Sequence, residues 1–121
     1  MNLKILDLFN SYSTDILEHI LSVCINVEEL LLASDDDFTD ALFMRIMIKN
    51  PLKKLKELTI ISTNSLTMLT VRALTVHCQS LETLRFLDRW EGIRDSELKE
   101  FQTELRLNNK IVYFPLLRNL E

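Results

Sequence analysis

Apolar residues return along this chain in one short phrase. Leu3/Leu6/Leu8, Val27/Leu30/Leu32, Leu55/Leu58/Ile60 and Leu81/Leu84/Phe86 share the spacing i, i+3, i+5, and their first members lie 24, 28 and 26 residues apart. The last step of two residues is the period of a strand, whose alternate side chains point to opposite faces. Each phrase is followed by polar residues and then by apolar residues at helical spacing. Ile16, Leu17, Ile20, Leu21 and Cys24 share one helical face, as do Leu42, Phe43, Ile46 and Met47. Leu66, Leu69, Ala73 and Val76 mark a third helix, and Leu98, Phe101 and Leu105 a fourth. The pattern predicts an α/β chain of four strand-helix units.

The boundaries of these units are also written in polar residues. Asp15 with Glu18 three residues later has the form of a capping box, with the aspartate as cap. Thr39 and Asp40 open the second helix, Ser65 the third, and Asp95 with Ser96 the fourth. Asn50 and Pro51 end the second helix, because proline cannot continue it and biases its predecessor out of the helical region. Gly92 is the single glycine, so turns with positive backbone dihedrals must be rare or use Asn and Asp.

Repetition at this period predicts a stacked solenoid, with short parallel strands on a concave side and helices on a convex side. Strand alternation then places Ile5, Asp7, Phe9, Glu29, Leu31, Ala33, Glu57, Thr59, Ile61, Thr83, Arg85 and Leu87 on the open face. One column there, Phe9/Ala33/Ile61/Leu87, is apolar, which is the signature either of a partner or of a neighbouring helix or chain terminus lying over it. An all-helical repeat is the structural competitor, since short apolar runs do not separate strand from buried helix.

Composition narrows the picture. Of the 121 residues, 47% are apolar and 26% charged, with mean hydropathy +0.07, which is too apolar for a disordered chain and points to one globular domain over 1–121. A net charge of −4 and a pI near 5.2 argue against nucleic acid or an anionic membrane as the partner. No uninterrupted apolar stretch is long enough for a span, and the Leu3 to Phe9 run, interrupted by Asp7, does not make a secretory signal. Two cysteines, Cys24 and Cys78, suit a reducing compartment, cytoplasm or nucleus, better than a disulfide scaffold.

Two of the phrases are preceded by cysteine at a fixed distance, in Cys24-Ile25-Asn26-Val27 and Cys78-Gln79-Ser80-Leu81. With Phe38-Thr39-Asp40 and the looser Ile93-Arg94-Asp95, these segments resemble the cysteine-containing leucine-rich repeat, whose consensus runs CxxLxxLxL and later I-T-D. The resemblance covers roughly Leu3 to Leu107 and is typical of F-box proteins with leucine-rich repeats, of the ribonuclease-inhibitor-like class. It implies a protein-protein interaction module: in that family the repeats capture a substrate protein and a separate F-box docks onto a ubiquitin ligase. A ligase linker subunit is thus implied as partner only where an F-box exists outside these residues. The alternative is a free-standing repeat scaffold or inhibitor without a ubiquitin role.

Departures from the family pattern are specific. The Asn or Cys ladder expected eight residues after the first strand leucine is replaced by Ser11, Asp35, Thr63 and Arg89, and Leu52 stands where a cysteine is expected. The third repeat lacks the T-D pair. Phe114-Pro115-Leu116-Leu117-Arg118-Asn119-Leu120 resembles the start of a further repeat, and no polar capping repeat is visible, so a segment of a longer array is expected.

Catalytic and cofactor chemistry finds no footing. Asp35-Asp36-Asp37 lacks the spaced ligands, glycine and distal glutamate of a calcium loop and reads as an acidic solvated loop. His19 near Cys24 and His77 beside Cys78 do not have zinc-ligand spacing, and the cysteines read as small core residues. No nucleophile elbow or phosphate-binding glycine loop is possible with one glycine. No enzyme activity, cofactor or metal is expected. The candidate partner-binding residues are Phe9, Leu31, Ile61, Arg85, Leu87, Arg89 and Trp90. Trp90, with Arg85 and Arg89, is either an anchor on the rim of the open face or a side chain folded back over the edge of the array.

Overall fold

Leu6, Leu8, Leu30, Leu32, Leu58, Ile60 and Leu84 are buried, while the residues between them are in most cases at least partly exposed. That alternation builds strands β1 (Ile5–Leu8), β2 (Glu29–Ala33), β3 (Glu57–Ile61) and β4 (Thr83–Arg85). Helices α1 (Thr14–Val23), α2 (Asp40–Lys49) and α3 (Met68–His77) connect them, and α4 (Asp95–Leu107) follows β4 through a 3-10 turn at Leu87–Arg89. The computed structural model describes residues 4–9, 13–33, 37–61, 65–108 and 111–115. Leu3, Ser11, Asp35, Asp36, Thr63 and the Leu116–Glu121 part of the expected fifth unit lie outside the described residues.

The chain is α/β: one parallel sheet in the order β1-β2-β3-β4, alternating with helices. The predicted phase appears as register, with Leu6 beside Leu30, Leu30 beside Leu58 and Leu58 beside Leu84. Inward strand residues and helix residues such as Leu17, Leu21, Phe43, Ile46, Val71, Leu74, Leu98 and Phe101 share one hydrophobic cluster, so the helices cover a single face of the sheet. Each fully buried Leu or Phe contributes roughly 1.5–3 kcal/mol. The other face stays open. The arrangement is compatible with a solenoid.

Main-chain bonds carry the alternation past β4. The Lys4 carbonyl accepts from the Glu28 and Glu29 amides, Glu28 from Lys56 and Glu57, and Lys56 from Glu82 and Thr83. The Glu82 carbonyl then accepts from the Tyr113 amide at 2.8 Å, and the Leu84 and Phe86 amides donate to Tyr113 and Pro115. Residues 113–115 therefore run alongside β4, one residue before the expected Phe114 opening.

Helix starts differ from the capping expectation in three places. Ser13, not Asp15, caps α1, accepting from the Ile16 amide at 3.4 Å. Glu18 is drawn away by α2: Arg45 grips it with two bonds of 2.8 and 2.9 Å, and Lys49 adds a third at 3.3 Å. Thr39 caps α2 as expected. Thr67, not Ser65, caps α3, and α4 starts directly after Arg94. The later start of α3 rotates its buried stripe onto Met68, Val71 and Leu74 and leaves Leu69 and Val76 exposed.

That start is decided between units. The Asp40 carboxylate accepts from the Thr67 amide at 2.9 Å and from the hydroxyls of Thr67 at 2.6 Å and Thr70 at 2.5 Å. Leu66-Thr67 thus occupies the place of Phe38-Thr39, and the acid its own unit lacks comes from the unit before.

The hydrogen-bonded clamp on Glu18 holds its carboxyl at about 2, well below the ordinary 4.5, chiefly through Arg45. A carboxyl with a depressed folded pKa stabilises the fold above its ordinary pKa and loses that contribution as pH falls through the folded value. Glu18→Gln therefore lowers the melting temperature modestly at pH 7, and the gap from the parent protein closes between about pH 4.5 and pH 2. Thermal melts of both proteins across that range check it; a gap that persists at pH 2 sinks the clamp account.

Candidate partner-binding surface

The open face is built by the odd residues of each strand. Ile5 of β1, Glu29 of β2, Glu57 of β3 and Thr83 of β4 form one row across the sheet, and Asp7, Leu31, Thr59 and Arg85 the next. Ala33 beside Ile61, with Phe9 in phase, makes the third row. Row one is polar apart from Ile5 at its edge, row two is polar apart from Leu31, and row three is apolar.

Five of the seven candidate residues reach solvent there or next to it. Phe9 is exposed just after β1, Leu31 is half-buried in the middle of β2, and Ile61 is half-buried at the end of β3. Arg85 closes β4, its guanidinium paired with the Glu57 carboxylate of β3. Arg89 is exposed at the end of the 3-10 turn.

Leu87 and Trp90 are elsewhere. Phe86 takes the left-handed conformation, φ 60°, which ends β4 after three residues and turns the chain into Leu87–Arg89. Leu87, expected in the apolar column, is fully buried as a result. Trp90, expected on the rim as one of two possibilities, is 1% exposed and donates its indole N–H to the Ile60 carbonyl at 3.0 Å. It closes the end of β3 from inside. Thr59, also assigned to the open face by alternation, is buried.

Positive φ also differs from expectation: among the described residues it falls on Leu52 and Phe86 rather than on Asn or Asp. Gly92 is required for space, not for φ. A Cβ there would meet the Leu66 carbonyl oxygen at 2.5 Å.

The two cysteines cap the C-terminal ends of α1 and α3, both buried. Asn50 caps α2 in the same place and is buried too. Its amide donates to the Leu21 and Cys24 carbonyls at 2.9 and 3.2 Å, and its oxygen accepts from the Leu52 amide at 3.2 Å. Asn50 thus holds the same helix-end position as Cys24 and Cys78, two residues before Leu52. Burial pushes the Cys78 thiol up to about 12 and raises Cys24 as well, so both stay protonated and inert at neutral pH.

No protein-family model, curated protein or solved structure matches this chain.

Among the described residues, no group of three His, Cys, Asp or Glu side chains is arranged to hold a metal ion, and no helix is long and apolar enough to cross a membrane. A groove of about 450 Å³ lies on the open face where the strands begin, lined by Lys4, Ile5, Glu28, Glu29, Lys56, Glu57, Glu82 and Thr83. Lys4, Glu28, Lys56 and Glu82 are not among the sequence-derived candidates. Their signal was present: a charged residue immediately before each open-face row, at the same intervals as the leucines.

Electrostatically the groove is strained at Glu29. Burial and the facing Glu57 raise its carboxyl above the ordinary value, while Arg85 draws it the other way. A carboxyl raised in the folded state is destabilising when ionised, so the fold loses stability as pH rises through its titration. Glu29→Gln removes that repulsion and raises the melting temperature at pH 7 relative to the parent. Equal melting temperatures, or a lower one in the variant, contradict it.

Proposed function

We propose that this chain is a leucine-rich repeat unit of the F-box class and acts as a protein-protein interaction module, capturing a substrate protein on the open face of its sheet. The observation that carries this reading is the in-register open face itself, which presents Leu31, Ile61 and Phe9 together with the Glu57–Arg85 pair. Apolar anchors bordered by charged groups are what protein interfaces use. Three helices in succession bury the residues four and seven or eight positions after their caps, and end on Cys24, Asn50 or Cys78, which supports equivalence of the units.

A ligase-adaptor role belongs to the family resemblance, and a linker subunit of the ligase is its implied partner. The alternative reading is a free-standing scaffold or inhibitor without a ubiquitin role. Neither reading calls for a catalytic residue, cofactor, nucleic acid or membrane, and both suit the cytoplasm or nucleus.

Site-specific photo-crosslinking separates the faces. A crosslinker at Leu31 captures a defined protein in cells, whereas one at Ile48, exposed on α2, does not. Ile61→Asp, on the neighbouring strand of the same face, abolishes that capture while circular dichroism shows the protein folded. Equal capture from both positions sinks the open-face reading. Co-purification of a ligase linker subunit with the product of the complete gene supports the adaptor, and its absence supports the scaffold.

A further inference from the structure

The charges of the groove at the start of the strands are not balanced within it. Lys4 and Lys56 both approach Glu28, at 3.9 and 3.4 Å, and Arg85 is held by Glu57. Among the described residues neither Glu29 nor Glu82 has an ion-pair partner, although both line the groove. Glu29 also stands directly opposite Glu57 on the neighbouring strand. Like charges in that relation are destabilising, and a cation supplied from outside relieves them. Apolar side chains bound the row on both sides: Ile5, 63% exposed, and beyond β4 Tyr113, 66% exposed, which bridges to Thr83.

We propose that this groove docks a lysine- or arginine-bearing segment of the protein partner, laid across the strands, with its cations on Glu29 and Glu82 and apolar neighbours on Ile5 and Tyr113. The proposal rests on the reading of the open face as a protein-binding surface and adds the chemistry of the bound segment. Charge complementarity selects this occupant: four carboxylates line the groove against two lysines, and both lysines are already engaged. Glu29 on β2 and Glu82 just before β4 lie two strands apart, on the order of 10 Å at ~4.8 Å per strand, so each takes its own cation from one extended segment. An acidic segment meets unpaired carboxylates and is rejected.

Selection of a random peptide library displayed on phage against the immobilised chain tests it. Enriched peptides carry Lys or Arg, bind more weakly as salt is raised, and lose about tenfold in affinity to the E29Q/E82Q double variant. Circular dichroism and melting establish that this variant is folded. The E91Q/E100Q variant removes the same charge from exposed positions off the open face and leaves binding unchanged. Peptides without basic residues, basic peptides weakened equally by both double variants, or no enrichment at all overturn the proposal. Apolar peptides that are lost in L31D overturn only the basic segment and leave the open-face reading standing. Peptides insensitive to both L31D and E29Q/E82Q overturn the two together.

Discussion

Trp90→Ala unfolds this protein more readily than any change on its open face: it costs about 3–5 kcal/mol and lowers the melting temperature by on the order of 10 °C. Two losses combine. The indole is almost completely buried, so truncation leaves a large cavity that the packed neighbours fill only in part. The Ile60 carbonyl at the end of β3 also loses its indole donor. Trp90→Phe separates them, since it restores most of the volume but not the donor, and retains all but about 1–3 kcal/mol. Denaturant unfolding of both variants checks the ranking. A Trp90→Ala protein that melts like the parent but fails to bind its partner instead makes Trp90 an interface anchor and contradicts its buried position.

Asn50→Ala is expected to be the next most damaging, at about 2–4 kcal/mol. The side chain makes three hydrogen bonds inside the protein, to the carbonyls of Leu21 and Cys24 and from the amide of Leu52. Removing it leaves buried main-chain groups of two successive units unpaired. Asn50→Asp is as damaging or worse at pH 7, because a carboxylate cannot donate to the two carbonyls and meets them with a negative charge. Lowering the pH until that carboxyl is neutral recovers part of the loss. Urea titrations at neutral and acidic pH measure both effects; an Asn50→Ala protein within about 0.5 kcal/mol of the parent overturns the bridging role.

Trp90 and Asn50 stand beside the positions where the family resemblance predicts a ladder residue and a cysteine. The expected polar residue eight places after the first strand leucine falls on Arg89 in the last unit, and Arg89 is exposed. One residue later, Trp90 binds the Ile60 carbonyl of the preceding unit. Likewise Leu52 stands at the expected cysteine, while the cap itself is Asn50, displaced by the two extra residues of a longer connection. A rule based on constant spacing misses both, because each replacement uses a different side chain at a shifted position.

Phe9, Leu31, Ile61, Arg85 and Arg89 lie partly or fully exposed on or beside the open face, where strand alternation and connection length put them. Leu87 does not, since alternation holds only while the strand continues and β4 ends at Arg85. The left-handed turn at Phe86 has no local sequence signal, because a phenylalanine disfavours that conformation and adopts it only when packing over-determines it.

The α/β alternation, the four strands among the described residues and the register of the leucines follow from the sequence alone. Period and side-chain direction are local properties of the chain, and burying the apolar phrase of each unit against the next leaves one consistent alignment. Tertiary structure decided where α3 begins, that Glu18 serves α2 rather than its own helix end, that Trp90 points inward, and that Glu29 faces a Glu57 already paired with Arg85. Each of those outcomes depends on atoms 27 to 30 residues distant in sequence, as with Asp40 and Thr67 or Trp90 and Ile60. Contacts between units, rather than local preference, set their energy.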